Sequence, residues 1–286
     1  MRNLCLSVKK MLFAGLLVCL AVPAFAQELS VMSFNIRNSG ANDGSNSWTN
    51  RKKASLAVLK EEKPDLLGLQ EALPDQYAFF NRHTRCRYGH VGVGRDDGKK
   101  EGECMAIYYR KRTFKLLDSG TFWLSETPDE PSLGWDAACR RTVTWVRLRH
   151  KKTGRELFYF NTHLDHVGVV ARQESIKLIC RRIALMVPEG VPVVLGGDMN
   201  SHSGEPFFAP LKDDNLLSSR DIAPVIDNRS TYNGWKTDNS PANMIDHLFV
   251  RDCEVLSFRV LRDKTYGVPF VSDHYPVVLR FRLAGK

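Results

Sequence analysis

Gly-Gly-Asp-Met-Asn at 196–200 and Ser-Asp-His at 272–274 set two carboxylates, an amide and an imidazole beside apolar runs. Val191-Pro192-Val193-Val194-Leu195 reads as a buried strand that the two glycines end sharply. Asp198 and Asn200 then sit two apart, so an extended backbone points both the same way. Ser272-Asp273-His274 runs into Pro276-Val277-Val278-Leu279, another strand. Other polar stations share this placement: Asn35 in Phe34-Asn35-Ile36-Arg37, Gln70-Glu71, His163 and Asp165 in Asn161-Thr162-His163-Leu164-Asp165, and Asp246 in Ile245-Asp246-His247. Taken singly, Asn35 fits a turn cap, Glu71 a helix cap and Asp246 the start of a strand. Taken together they suit metal-assisted hydrolysis of a phosphate ester. Such an ester is anionic and repels hydroxide, and its alkoxide leaves poorly, so a hard divalent ion is needed to neutralise charge. Mg²⁺ takes oxygen ligands and keeps several waters, so one or two carboxylates suffice.

The elements that must position these residues alternate along the chain. Leu29 to Phe34 alternates apolar and polar residues as a half-buried strand does. Arg51 to Glu62 carries Ala54, Ala57 and Val58 on one helical face, and Pro64 ends it. Asp65 to Gln70, Met105 to Tyr109, Thr142 to Leu148, Leu157 to Asn161, Ile245 to Val250 and Val277 to Leu283 read as strands. Ala171 to Val187 is an amphipathic helix with apolar residues at 176, 179, 180, 183, 186 and 187. Polar loops at 38–48, 94–103, 200–206 and 227–243 follow or link these strands, and 118–141 reads as long and irregular. Interspersed strands and helices argue for α/β or α+β layers around sheets.

Arg2, Lys9 and Lys10, the apolar run Met11 to Val22 and Ala24-Phe25-Ala26 have the form of a secretory signal peptide over residues 1–26, with cleavage expected before Gln27. The remaining 27–286 is expected to be one domain, secreted to the periplasm, with no stable membrane insertion, no protein partner and a monomeric state. That stretch carries 38 basic against 32 acidic side chains, a surplus of six that suits an anionic partner or simply a soluble basic surface. Of seven cysteines, Cys86, Cys104, Cys139, Cys180 and Cys253 remain; their odd number leaves at least one unpaired within the chain, and their spacing matches no zinc pattern. A glycine-rich phosphate loop, a nucleophilic serine elbow and a zinc-binding helix motif are all absent from the sequence.

The stations from Asn35 to His274 resemble those of the endonuclease/exonuclease/phosphatase family, which includes the DNase I-like nucleases; Gly-Asp-Met-Asn and Ser-Asp-His are the most specific motifs. The resemblance implies an α/β four-layer sandwich, two mixed β-sheets packed face to face with helices outside. It implies Glu71 as the principal metal ligand, with Asp273 and the Asn35 amide oxygen close by, and Mg²⁺ as the ion, with Mn²⁺ as a substitute. Asp198 would orient or deprotonate the attacking water, Asn200 would hold that water and a phosphoryl oxygen, and Asp246 would orient His274. His163 would approach the phosphate from another strand, oriented by a glutamate that matches Glu103; Glu101 lies two residues away, and a solvated loop charge is the alternative for Glu103. Histidine rather than tyrosine at 163 points away from abasic-site repair and toward DNase-like, deadenylase-like or sphingomyelinase-like members. Phe122 to Pro128 resembles a stretch of secreted bacterial members.

Beside these, Asp165 is a candidate for substrate hydroxyls, a second cation or a structural role. Arg140 is a candidate phosphate clamp next to Arg141, with Trp123 or Trp135 available to stack on a base or to pack the core. His166, His202 and His247 flank the motifs as surface or supporting residues. The expected activity is that of a phosphodiesterase, with nucleic acid as the leading substrate. A phosphatase or lipid phosphodiesterase acting on inositol phosphate or sphingomyelin-like groups is the alternative within enzymes. A non-catalytic phosphoester-binding module is the alternative of another class.

Overall fold

The computed structural model describes residues 27–202, 204–237 and 243–283; the expected leader at 1–26 lies outside them. Among the described residues, runs rich in valine, leucine and aromatic residues form twelve strands in chain order. They are β1 (Leu29–Asn35), β2 (Leu66–Gln70), β3 (Tyr88–Val91), β4 (Ile107–Arg110), β5 (Phe114–Trp123) and β6 (Thr142–His150). β7 (Glu156–His163), β8 (Val193–Asp198), β9 (Leu217–Ser218), β10 (Asp246–Arg251), β11 (Cys253–Val260) and β12 (Val277–Leu283) complete the set. They assemble into two six-stranded mixed sheets, ordered β11-β12-β1-β2-β4-β3 and β5-β6-β7-β8-β10-β9.

Alternate side chains of both sheets meet in a central apolar layer, where Val31, Leu66 and Leu279 of one face Val146, Tyr159 and Val194 of the other. The outer face of the first sheet buries Met32, Leu67 and Tyr108 against helices α1 (Trp48–Glu62) and α2 (Pro74–Thr84). The outer face of the second buries Phe158, Phe160 and Leu195 against Ile176, Ile179 and Ile183 of α3 (Val169–Met186). Each fully buried Leu, Val or Phe contributes roughly 1.5–3 kcal/mol. The expected sandwich is therefore present: helix, sheet, sheet, helix.

Topology sends the polar stations to one edge. β1 and β2 are parallel with Asn35 opposite Gln70, and β7 and β8 are parallel with His163 opposite Asp198. β10 runs antiparallel to β8, so its first residue Asp246 lies opposite Asp198. β12 runs antiparallel to β1, which brings the preceding Ser272-Asp273-His274 to the same edge.

Some local readings change. The glycines at 196 and 197 lie inside β8 rather than ending it. A side chain at Gly197 would lie 1.9 Å from the Thr162 carbonyl oxygen, so glycine is required for β7 to approach. α1 begins at Trp48, and its last turn closes at Lys63 with φ 47°. β5 crosses into the segment read as irregular; register shifts in β5, between Leu116 and Asp118, and in β11, between Val255 and Ser257, break the two-residue period by which strands are recognised.

Candidate active site

Beneath the site the two sheets are joined by polar contacts. Gln70 Nε2 donates to Asn161 Oδ1 at 2.7 Å, and Asn161 Nδ2 donates to the carbonyls of Leu69 and Ala106 at 2.9 and 3.0 Å. Above this floor opens a cleft of about 500 Å³ lined by Glu71, His163, Asp198, Asn200, Asp273 and His274, among others.

His274 lies between two carboxylates. Its Nδ1 is 2.9 Å from Asp246 Oδ2, and its Nε2 is 3.6 Å from Asp198 Oδ2. Burial disfavours the imidazolium, but Asp246 and Asp198 outweigh it and hold the pKa well above the usual histidine range. Burial likewise raises the Asp198 carboxyl, opposed by His274 and assisted by Asp246. Asp198 accepts from Asn35 Nδ2 and from the Asn200 backbone N–H, both at 2.9 Å.

Asn200 follows β8 with φ 48°, a left-handed turn rather than the extended backbone read from the sequence. Its Nδ2 donates to the Leu164 carbonyl at 2.9 Å and faces His163 Nε2 at 2.9 Å, which leaves Oδ1 as an acceptor for water. Burial, then the charges of Arg141 and His274, push the His163 pKa well down, so the ring is neutral. His163 Nε2 also lies 3.3 Å from Asp198 Oδ2.

A strap at 230–235 fixes Asp246 relative to His274. Thr231 Oγ1 accepts the backbone N–H groups of Ile245 and Asp246 at 3.0 and 3.1 Å, while its carbonyl accepts from Tyr275 N at 2.7 Å. Asn233 N donates to the Asp273 carbonyl at 2.8 Å. The Tyr232 ring meets His274 edge-on at 5.0 Å. Arg51, 1% exposed, closes the other side by donating to the carbonyls of Ile36, Arg37, Asn46 and Val271. Neither Thr231 nor Arg51 announces itself in the sequence, because their partners are backbone atoms distant along the chain.

A profile of the endonuclease/exonuclease/phosphatase family matches residues 32–274. The chain belongs to this family. An endonuclease/exonuclease/phosphatase family protein from Bacteroides thetaiotaomicron superposes with a TM-score of 0.85 at 32% identity, covering 91% of this chain and 100% of that one. A mannosyl-6-phosphatase from the same organism superposes with a TM-score of 0.79 at 32% identity, covering 88% and 99%. The human Nocturnin catalytic domain, 20% identical with a TM-score of 0.70 and covering 90% and 94%, shares the fold.

Members of the endonuclease/exonuclease/phosphatase family are phosphoester hydrolases that generally use a divalent metal. Two donor groupings in the cleft bear on where one would sit. Oxygens of Asp198 and Asp246 and a ring nitrogen of His274 lie within 4.8 Å of one another, but there a proton on His274 already joins the carboxylates. Glu71 and Asp273 offer hard oxygens alone. Glu71 projects from a left-handed position, φ 61°, its Oε1 bonded by Asn35 Nδ2 at 2.9 Å and its Oε2 by Asn38 N and Nδ2, each at 3.0 Å. Asp273 lies 3.6 Å from Arg37 Nε, and its carboxyl is pushed up by burial and, in part, by the charge of Glu71. A divalent cation relieves that repulsion, so this pair fits the ion. Asn35 does not present its oxygen to the pair. Its Oδ1 takes the Arg37 backbone N–H at 3.0 Å, and its Nδ2 therefore faces Glu71 and Asp198. The Asn35 oxygen expected near the ion is thus turned toward the Arg37 backbone in this structure.

The structure places three further candidates as follows. Glu103 lines the cleft but pairs with Arg95 rather than orienting His163, whose Nδ1 has no partner among the described residues. Asp165 is 2% exposed and spends its oxygens on the backbone N–H groups of Ala138, Val167 and Gly168 and on Arg141 Nε, so it shapes the loop instead of facing substrate. Arg140 turns outward toward Asp96 at 3.8 Å. Its neighbour Arg141, 5% exposed, lines the cleft, and no described residue engages its Nη1. The Arg141 guanidinium also occupies the Cys139–Asp165–His166 grouping through contacts with Asp165 and His166, which opposes a cation there.

His247 is buried with Nε2 2.8 Å from the Ser201 carbonyl, and His202 is exposed. Trp123 is buried and donates to the Arg95 carbonyl at 2.7 Å, while Trp135 packs against the core beside α3. All five described cysteines are free.

Proposed function

We propose that this protein is a Mg²⁺-dependent phosphoester hydrolase in which water attacks phosphorus directly, and that its substrate is a small phosphate monoester. The carrying observation is the convergence, in one cleft, of the Asp246–His274–Asp198 array with Glu71 and Asp273. When bound by Glu71 and Asp273, the cation would neutralise charge on the phosphoryl and leaving oxygens. The Asn200 Oδ1 atom orients water, and Asp198, kept basic by its raised pKa, takes the proton. The His274 imidazolium donates to a phosphoryl oxygen and stabilises the pentavalent transition state, with Asp246 holding its tautomer and orientation. Arg141 adds a fixed positive charge at the same cleft.

The monoester reading is supported by the 32% identical mannosyl-6-phosphatase. A phosphodiester, nucleic acid included, is the second reading, favoured by the basic surplus of residues 27–286. Export to the periplasm is supported by the leader-like residues 1–26. Turnover of p-nitrophenyl phosphate against bis-p-nitrophenyl phosphate, with Mg²⁺, with Mn²⁺ and with chelator, separates these readings. Faster diester hydrolysis would reverse their order, and metal-independent turnover of either would remove the ion from the scheme.

A further inference from the structure

We propose that the Arg95–Glu103 pair recognises the alcohol half of the substrate, and that this alcohol is a polyhydroxylated ring. The inference rests on the phosphoester-hydrolase reading and deepens it. Both residues line the same cleft as His163 and Asp198, with side chains 14% and 12% exposed. The ion pair uses one atom of each partner, Arg95 Nη1 and Glu103 Oε2. Arg95 Nε is buried without a partner, and Glu103 Oε1 is bonded to no other described group.

The loop does not need the pair to keep its shape. Arg95 N donates to the Glu103 carbonyl at 3.0 Å, Trp123 Nε1 to the Arg95 carbonyl at 2.7 Å, and Cys104 N to the Ala72 carbonyl at 2.8 Å. Partly buried ion pairs add little stability once desolvation is counted, so structural economy does not account for this one.

A carboxylate oxygen beside guanidinium N–H groups matches neighbouring hydroxyls, each of which donates and accepts. Tyr232 and Ile245 add an apolar wall to the same cleft, suited to the C–H face of a ring. Hexose phosphates and inositol phosphates share this chemistry.

The test compares kcat/KM of wild type, Glu103→Gln and Arg95→Lys on a hexose 6-phosphate, an inositol monophosphate and p-nitrophenyl phosphate, which has no hydroxyls. For at least one polyol, each variant should lose about tenfold more than for p-nitrophenyl phosphate, the worth of a hydrogen bond to a charged group. The polyol that suffers the larger loss identifies the ring. Equal losses on all three substrates, or no loss on any, would overturn the proposal. Should wild type turn over none of them with Mg²⁺, the monoester-hydrolase reading itself fails. Calorimetric binding of the hexose and inositol phosphates then decides: affinity weakened about tenfold by Glu103→Gln sustains the pair's role, and unchanged or absent binding ends it.

Discussion

His274 on the approach to β12 and Asp246 at the start of β10 stand at the edges of different sheets, yet Nδ1 and Oδ2 are 2.9 Å apart. Asp246 and Asp198 both raise the His274 pKa against the burial that lowers it. Removing the Asp246 charge therefore lowers that pKa. If catalysis requires the imidazolium, Asp246→Asn reduces kcat by about a hundredfold, the lower end for losing acid–base assistance. It also moves the alkaline limb of the rate profile to lower pH. Rate measurements across pH 6–10 check both; an unmoved limb would separate Asp246 from His274 titration.

Glu71 and Asp273 repel each other when no cation lies between them. Saturating Mg²⁺ is expected to raise the melting temperature of wild type, since a ligand bound only by the folded state stabilises it, by about 2.7 kcal/mol at a hundred times Kd. Glu71→Gln should largely abolish that rise. Scanning calorimetry with and without Mg²⁺ reads it directly, and an equal rise in both proteins would place the ion elsewhere.

Arg51 buries a guanidinium against four backbone carbonyls with no carboxylate in contact, and burial lowers its pKa to about 10. Arg51→Leu leaves those acceptors without donors and should cost about 3 kcal/mol or more. Chemical denaturation measures the loss. A change below about 1 kcal/mol would mean that water replaces the guanidinium.

Burial works to raise the Asp165 carboxyl, but the N–H groups of Gly168, Ala138 and Val167, with Arg141, hold its pKa below the usual range. A folded pKa below the unfolded one gives stability that is complete above about pH 4 and is lost as pH falls toward the folded value. Asp165→Asn should thus destabilise the protein at neutral pH, by roughly 3 kcal/mol for a broken buried pair, and less at pH 3. Urea midpoints at the two pH values provide the comparison; the same deficit at both would exclude the carboxylate charge as the cause.

The stations were legible because each closes or opens an apolar run, and a sheet edge gathers such ends whatever lies between them. The roles of particular atoms were not. Which way Asn35 turns its amide depends on the backbone N–H of Arg37, itself set by φ 53°. Glu103 sits in the expected cleft, but its partner Arg95 is fixed by a loop contact with Trp123 that no spacing rule conveys. Arg140 and Arg141 are adjacent in sequence, and only the position at the start of β6 decides which faces inward.

Gly68 has no room for a side chain because Tyr159 and Asn161 of the opposing sheet would lie 2.2–2.7 Å from it. At that point the two halves of the sandwich are keyed together directly under the reacting groups. Sliding one half past the other would break the key before it altered the chemistry. The loop at 94–103 stands outside this lock, so it can be exchanged and new preferences acquired around an unaltered engine.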